Sequence, residues 1–167
     1  MSVEKLVFAQ VMEFLPHRDP FLFIDGVKEV ILPESLQGKK GPFKASELIG
    51  GKSICTFKVD NTVKVLEGHF PGNPILPGVV QVEMMAQAAS FLCLHVLTKP
   101  VTESKLDVQL ITVESAKFKK PVIPPMDLEI HATLAKSRGI FQSYNCEIFS
   151  GGELVSQCTV MATIKIE

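Results

Sequence analysis

"EGHFPGNPILPGVVQVEMMAQAA", residues 67–89, decides how this chain is read. Its second half opens the longest apolar stretch, Gly78 to Leu97, which is interrupted by Gln81, Glu83, Gln87 and His95. Pro77 and Gly78 stand at its start, where a missing N–H costs little, and Pro100 follows its end. The stretch predicts one long helix over 78–97. Its polar interruptions make it a buried core helix rather than a membrane span. A helix apolar on nearly all sides must be surrounded by the rest of the chain.

Moving outward, the pattern turns to alternation. "DVQLITVESAKFKK" (107–120) and "DLEIHATLAKS" (127–137) alternate as half-buried strands do. Residues 139–167 predict two more strands around Gly151-Gly152, a hairpin signal. Upstream, "SICTFKVD" (53–60) alternates, and "FLFIDGVKEVIL" (21–32) is rich in β-branched and aromatic residues. Between them, residues 33–52 predict a loop-rich insertion with one short helical turn. Val3, Leu6, Val7, Val11 and Phe14 predict a short N-terminal helix. The sum is one long helix and about five strands. An antiparallel sheet curling around one helix satisfies it, an α+β arrangement forming a single domain over 1–167.

Bulk properties narrow the function. The chain has 167 residues, 46% of them apolar and 21% charged, and a formal charge of −1. That balance gives no support for nucleic-acid binding. The start, "MSVEKLVFAQ", lacks the apolar core of a cleaved leader. Cys55, Cys93, Cys146 and Cys158 are scattered without a CxxC pair, as expected of reduced, buried thiols in a cytoplasmic protein. His17, His69, His95 and His131 lack metal-ligand spacing, so no metal is expected. "GGKS" (50–53) resembles the end of a phosphate loop, but Ser46 stands where that loop needs glycine. No G-x-S-x-G elbow is present.

The chemistry gathers at 67–89. On a helix Glu83, Gln87 and Ser90 form one polar stripe, and Gln81 points roughly the other way. Gln87 can hydrogen-bond Glu83. Burial without a cation would raise the Glu83 pKa and make it a general acid near neutral pH. His69 is the natural base. The "HFPGNPILPG" loop is stiff, and the N–H groups of Gly78 and Val79 sit at the positive end of the helix, where an oxyanion is favoured. Taken singly, His69 reads as a satisfied histidine and Glu83 as a solvated one. Taken together, they read as an acid–base pair. His17 and Arg18 are expected to brace the loop or an interface, and His95 and His131 to be structural.

"GHFPGNPILPGVVQVEMMAQAA", "LPHRDPFLFID" (15–25) and "AKFKKPVIPPMDLEI" (116–130) together resemble the FabZ-type 3-hydroxyacyl-acyl-carrier-protein dehydratases of the hotdog fold. Glu83, rather than aspartate, and the "PHR" at 16–18 favour this type over the related dehydratase-isomerases. The resemblance implies a curved antiparallel sheet wrapped around a central helix. It implies a homodimer, or a trimer of dimers, in which His69 of one subunit faces Glu83 of the other. It assigns His69 as base, Glu83 as acid and Gly78 as an amide donor, with no metal or organic cofactor. The implied partner is an acyl carrier protein bearing a phosphopantetheine-linked acyl chain. Lys117, Lys119 and Lys120, with Lys136 and Arg138, form either a basic patch that docks this acidic carrier or a solvated strand face. The other readings are a hotdog thioesterase, a coenzyme-A-linked hydratase and a non-catalytic acyl-binding protein. The chain departs from the family pattern in the length of 33–52, at Val65 and Leu66, and at Pro125 and Met126.

Overall fold

The computed structural model describes residues 5–166. Six strands form one sheet: β1 (Gly26–Ile31), β2 (Lys52–Val59), β3 (Leu106–Phe118), β4 (Met126–Arg138), β5 (Phe141–Ser150) and β6 (Glu153–Ile166). All pairings are antiparallel, in the order β1-β2-β4-β5-β6-β3. Two α-helices accompany them, α1 (Phe8–Phe14) and α2 (Gly78–Ser90). The predicted N-terminal helix is thus present as α1, while Val3 lies outside the described residues.

Alternation along the strands builds the core. Leu128, Ile130, Ala132 and Leu134 of β4, with Tyr144, Cys146 and Ile148 of β5, turn one face inward and are buried. α2 lies on that face, burying Val80, Met84, Met85, Ala88 and Ala89. The Ser53 hydroxyl ties helix to sheet by donating to the Ala88 carbonyl at 2.7 Å. The apolar run Gly78–Val96 has a mean hydropathy of 1.4, and 67% of it is buried, as a core helix requires. All four cysteines are free and buried.

Several boundaries differ from the sequence reading. The strand predicted over 21–32 begins only at Gly26, because upstream backbone groups find another partner. The Gln87 amide accepts from the Phe23 N–H at 2.9 Å and donates to the Phe21 carbonyl at 2.8 Å. Among the described residues there are six strands rather than about five. The long helix ends at Ser90 and continues as a 3₁₀ segment, Phe91–Val96. The 33–52 insertion holds two 3₁₀ turns, Glu34–Leu36 and Ala45–Leu48, and packs Leu36 and Leu48 into the core. The helix is also not fully surrounded within one chain, since Val79 is 78% exposed.

The two sheet edges are unlike. The β1 edge is partly covered, because Leu6 and Val27 exchange both backbone hydrogen bonds. The 13-residue β3 forms the other edge and exposes Leu110, Ile111 and Val113. Near its end Ser115 takes φ 53°, and the register slips between Glu114 and Lys117. Such a bulge re-aims the side chains that follow it, here Lys117 and Phe118.

Candidate active site

The loop from Glu67 to Pro77 is fixed by its own hydrogen bonds. The His69 N–H donates to the Leu66 carbonyl at 3.1 Å, and the Ile75 N–H donates to the His69 carbonyl at 2.9 Å. Phe70 and Asn73 close the tip by exchanging hydrogen bonds, with Gly72 at φ 77° supplying the left-handed turn. The His69–Phe70 peptide is cis, and the two rings stack 4.0 Å apart. His69 Nδ1 lies 2.7 Å from the Ile75 carbonyl oxygen. A carbonyl only accepts, so Nδ1 carries the proton and the neutral ring presents a bare Nε2, the form a base needs.

His69 opens into a cavity of about 260 Å³ with Ile75, Leu76, Gly78, Gln81, Phe118 and Lys119 on its walls. The Leu76 N–H donates to the Val122 carbonyl at 2.8 Å, which seats the loop against the chain beyond β3. Val80 and Gln81 return their N–H groups to the Pro77 carbonyl. The N–H groups of Gly78 and Val79, first in the helix, have no backbone acceptor among the described residues. Gly78 leaves room for the Phe118 ring, which would have to shift for a Cβ that would lie 2.8 Å from it. A larger cavity, about 640 Å³, lies between α1 and residues 18–25 and includes neither His69 nor Glu83.

Glu83 occupies different surroundings. Gln81 and Glu83 are two residues apart, about 200° around the helix, so Glu83 points away from the cavity that Gln81 lines. Its Oε1 accepts from the Gln87 amide at 2.9 Å, as the stripe predicts, and lies 3.3 Å from His17 Nε2. These contacts correct the expectation of an uncharged carboxyl. The His17 imidazole beside it, aided by the Gln87 hydrogen bond, outweighs burial and holds the Glu83 pKa below its ordinary value. His17, expected to brace the loop or an interface, instead lies against the Glu83 carboxyl. A histidine beside a proline offers no periodic signal for such a long-range contact.

The basic residues divide into two groups. Lys119 and Lys120 line the His69 cavity, with Lys117 just before them on β3, and Lys120 is paired with Glu153. Lys136 and Arg138 stand opposite Ser143 and Phe141, whereas Lys117 stands opposite Gln157, itself opposite Glu147. The two groups are thus several residues apart along the strands and do not make one patch. His131 is structural, 2.6 Å from Glu129, which also pairs with Lys28.

A curved antiparallel sheet packed on one central helix is the arrangement of a hotdog protein. The comparisons agree. Residues 46–157 match the family described as ApeI-like, ApeI dehydratase. The chain is 37% identical over 163 residues to the 3-hydroxyacyl-[acyl-carrier-protein] dehydratase FabZ of Bartonella henselae, covering 98% of this chain and 92% of that one. It is 33% identical to the enzyme of that name from Rhizobium rhizogenes, covering 98% and 90%. Among solved structures it resembles the ApeI:P dehydratase heterocomplex of Xenorhabdus doucetiae, with a TM-score of 0.64 at 17% identity over 93% of this chain and 90% of that one. A hypothetical thioesterase of Streptococcus pneumoniae solved with coenzyme A shares the fold alone, with a TM-score of 0.53 at 15% identity over 70% and 80%.

The chain belongs to the FabZ-type 3-hydroxyacyl-[acyl-carrier-protein] dehydratases.

Proposed function

We propose that the protein removes water from a 3-hydroxyacyl chain carried on acyl carrier protein, giving the trans-2-enoyl thioester, at sites shared between two copies of the chain. Family membership supports the reaction. The observation that carries the shared site is the separation of His69 and Glu83 onto opposite sides of α2. One chain does not bring them together, and a two-fold partner supplies the missing half. The exposed apolar edge of β3 and the exposed Val79, Phe70 and Phe21 are the surfaces such a partner would cover.

In this reading the thioester carbonyl sits on the N–H groups of Gly78 and Val79, which stabilise the enolate-like charge. His69 Nε2 takes the C2 proton. Glu83 of the other subunit protonates the departing 3-hydroxyl, which leaves as water, with Gln87 holding the carboxyl in place. Lys119 on the cavity wall and Lys117, two residues before it, meet the acidic carrier. The setting is the cytoplasm, and the assembly is a dimer or a trimer of dimers.

Mixing tests this directly. His69→Ala and Glu83→Ala should each abolish dehydration of carrier-bound substrate. Refolding the two variants together should restore activity, because a mixed dimer contains one site with both groups intact. Absence of recovery in verified mixed dimers would remove the shared site. Release of free thiol without enoyl product would make the protein a thioesterase instead.

A further inference from the structure

The reaction proposed above leaves a proton to be replaced. Each turnover puts a proton on His69 and takes one from Glu83, yet the structure holds Glu83 as a carboxylate. An acid that starts ionised needs a donor beside it. Only one titratable side chain among the described residues touches it, His17, whose Nε2 is 3.3 Å from Oε1. Gln87 is neutral, and the Arg18 guanidinium is turned onto the carbonyls of Leu15, at 2.8 Å, and His17, at 2.6 Å.

We propose that His17 is a positioning residue that supplies Glu83 with the proton it delivers, so that the acid of this site is the His17–Glu83 pair. The inference rests on the dehydratase reading. Imidazole is the side chain that gains and loses a proton near neutral pH, and two groups in contact titrate as a unit.

The local build suits this role. The Gln87 bonds to Phe21 and Phe23 and the Arg18 bonds fix the 15–23 segment over α2, so His17 is held rather than loosely placed. Its Nδ1 is buried with no hydrogen-bond partner among the described residues. The side chain is still 30% exposed, enough to be recharged from solvent.

The cycle balances. The C2–H bond breaks toward His69 Nε2 and the C2=C3 bond forms as the C3–O bond breaks. The departing oxygen takes a proton from Glu83, and the Nε2 proton of the His17 imidazolium passes to Oε1. The site ends with charged His69, ionised Glu83, neutral His17 and water. His69 then releases its proton and His17 takes one up.

The test compares His17→Gln and His17→Ala with His69→Ala and Glu83→Ala, following enoyl formation from a 3-hydroxyacyl carrier substrate between pH 5.5 and about 9. Glutamine places an amide N–H near the position of Nε2 but carries no extra proton. Its KM should stay within about twofold while kcat falls about tenfold to a hundredfold and the pH profile changes shape, the scale of a lost general acid. Added imidazole should restore turnover to His17→Ala in proportion to its protonated fraction. A His17→Gln enzyme with unchanged kcat and pH profile, or a His17→Ala loss that imidazole leaves untouched, overturns the proposal. If His69→Ala and Glu83→Ala themselves retain full turnover, the dehydratase site has failed instead.

Discussion

Replacing Gln87 by leucine separates its hydrogen bonds from its bulk. Gln87 is 1% exposed, and its amide reaches three groups: the Phe23 N–H, the Phe21 carbonyl and the Glu83 carboxylate. Leucine nearly fills the same volume, so little cavity arises. The three losses are unequal. Phe23 is 1% exposed, so its N–H is orphaned away from water, at a cost of about 1–3 kcal/mol. Phe21 is 55% exposed, and water can replace the donor to its carbonyl. Glu83, 26% exposed at its side chain, loses one of two donors, worth about 1 kcal/mol before solvent makes up part of it. The sum is a destabilisation of about 2–4 kcal/mol. With a urea m-value of about 2 kcal/mol per molar for a chain of this size, the midpoint should fall by about 1–2 M at fixed protein concentration, with m unchanged. Equilibrium denaturation followed by far-UV circular dichroism reads it. A midpoint within about 0.3 M of the parent would show that these bonds do not anchor the 21–23 segment.

Gly78→Ala places a methyl where the Phe118 ring lies, so it should displace that ring and raise KM for carrier-bound substrate while the fold survives, as steady-state kinetics and circular dichroism would show. Lys117→Glu with Lys119→Glu should lower kcat/KM for the carrier-bound substrate and weaken its dependence on salt, leaving a small pantetheine thioester unaffected; equal losses on both substrates would remove the docking role. Glu83 has a lowered pKa in the fold, so its contribution to stability is present above its ordinary pKa of 4.5 and is lost as pH falls through the lower folded value. Glu83→Gln should accordingly flatten the acid limb of a thermal-unfolding profile below about pH 4.5, and an unchanged limb would deny the His17 contact.

What was legible in the sequence was local. Alternation marked β2, β3 and β4, and the Gly151-Gly152 turn marked β5 and β6, each within a residue or two, because period and turn are local signals. The i, i+4 spacing of Glu83 and Gln87 foretold their hydrogen bond, which lies along the helix surface. The 21–25 stretch has strand composition and still pairs with a helix side chain, because strand propensity describes a surface to be packed and says nothing of which acceptor arrives first. The spacing of Gln81 and Glu83 also places them on opposite faces. Knowing which face meets His69 required the Leu76–Val122 bond and the ring of Phe118, both supplied by chain far along the sequence.

Glu83 shows how the ionisation of a group is misjudged from its sequence neighbours alone. Counting Val79, Val80, Val82, Met84 and Met85 around it measures desolvation, and that contribution does raise its pKa. The opposing contributions are hydrogen-bond donors, and one short contact outweighs a partly solvated apolar shell. Gln87 could be found by helical periodicity. His17 could not, since it arrives from a segment with no regular structure, which the distant Gln87 amide fixes over the helix. A carboxylate on an apolar helix reads from sequence only as a desolvated group. Its protonation state follows only once the donors that the fold delivers are known, and here the donor is itself a group that can carry a proton.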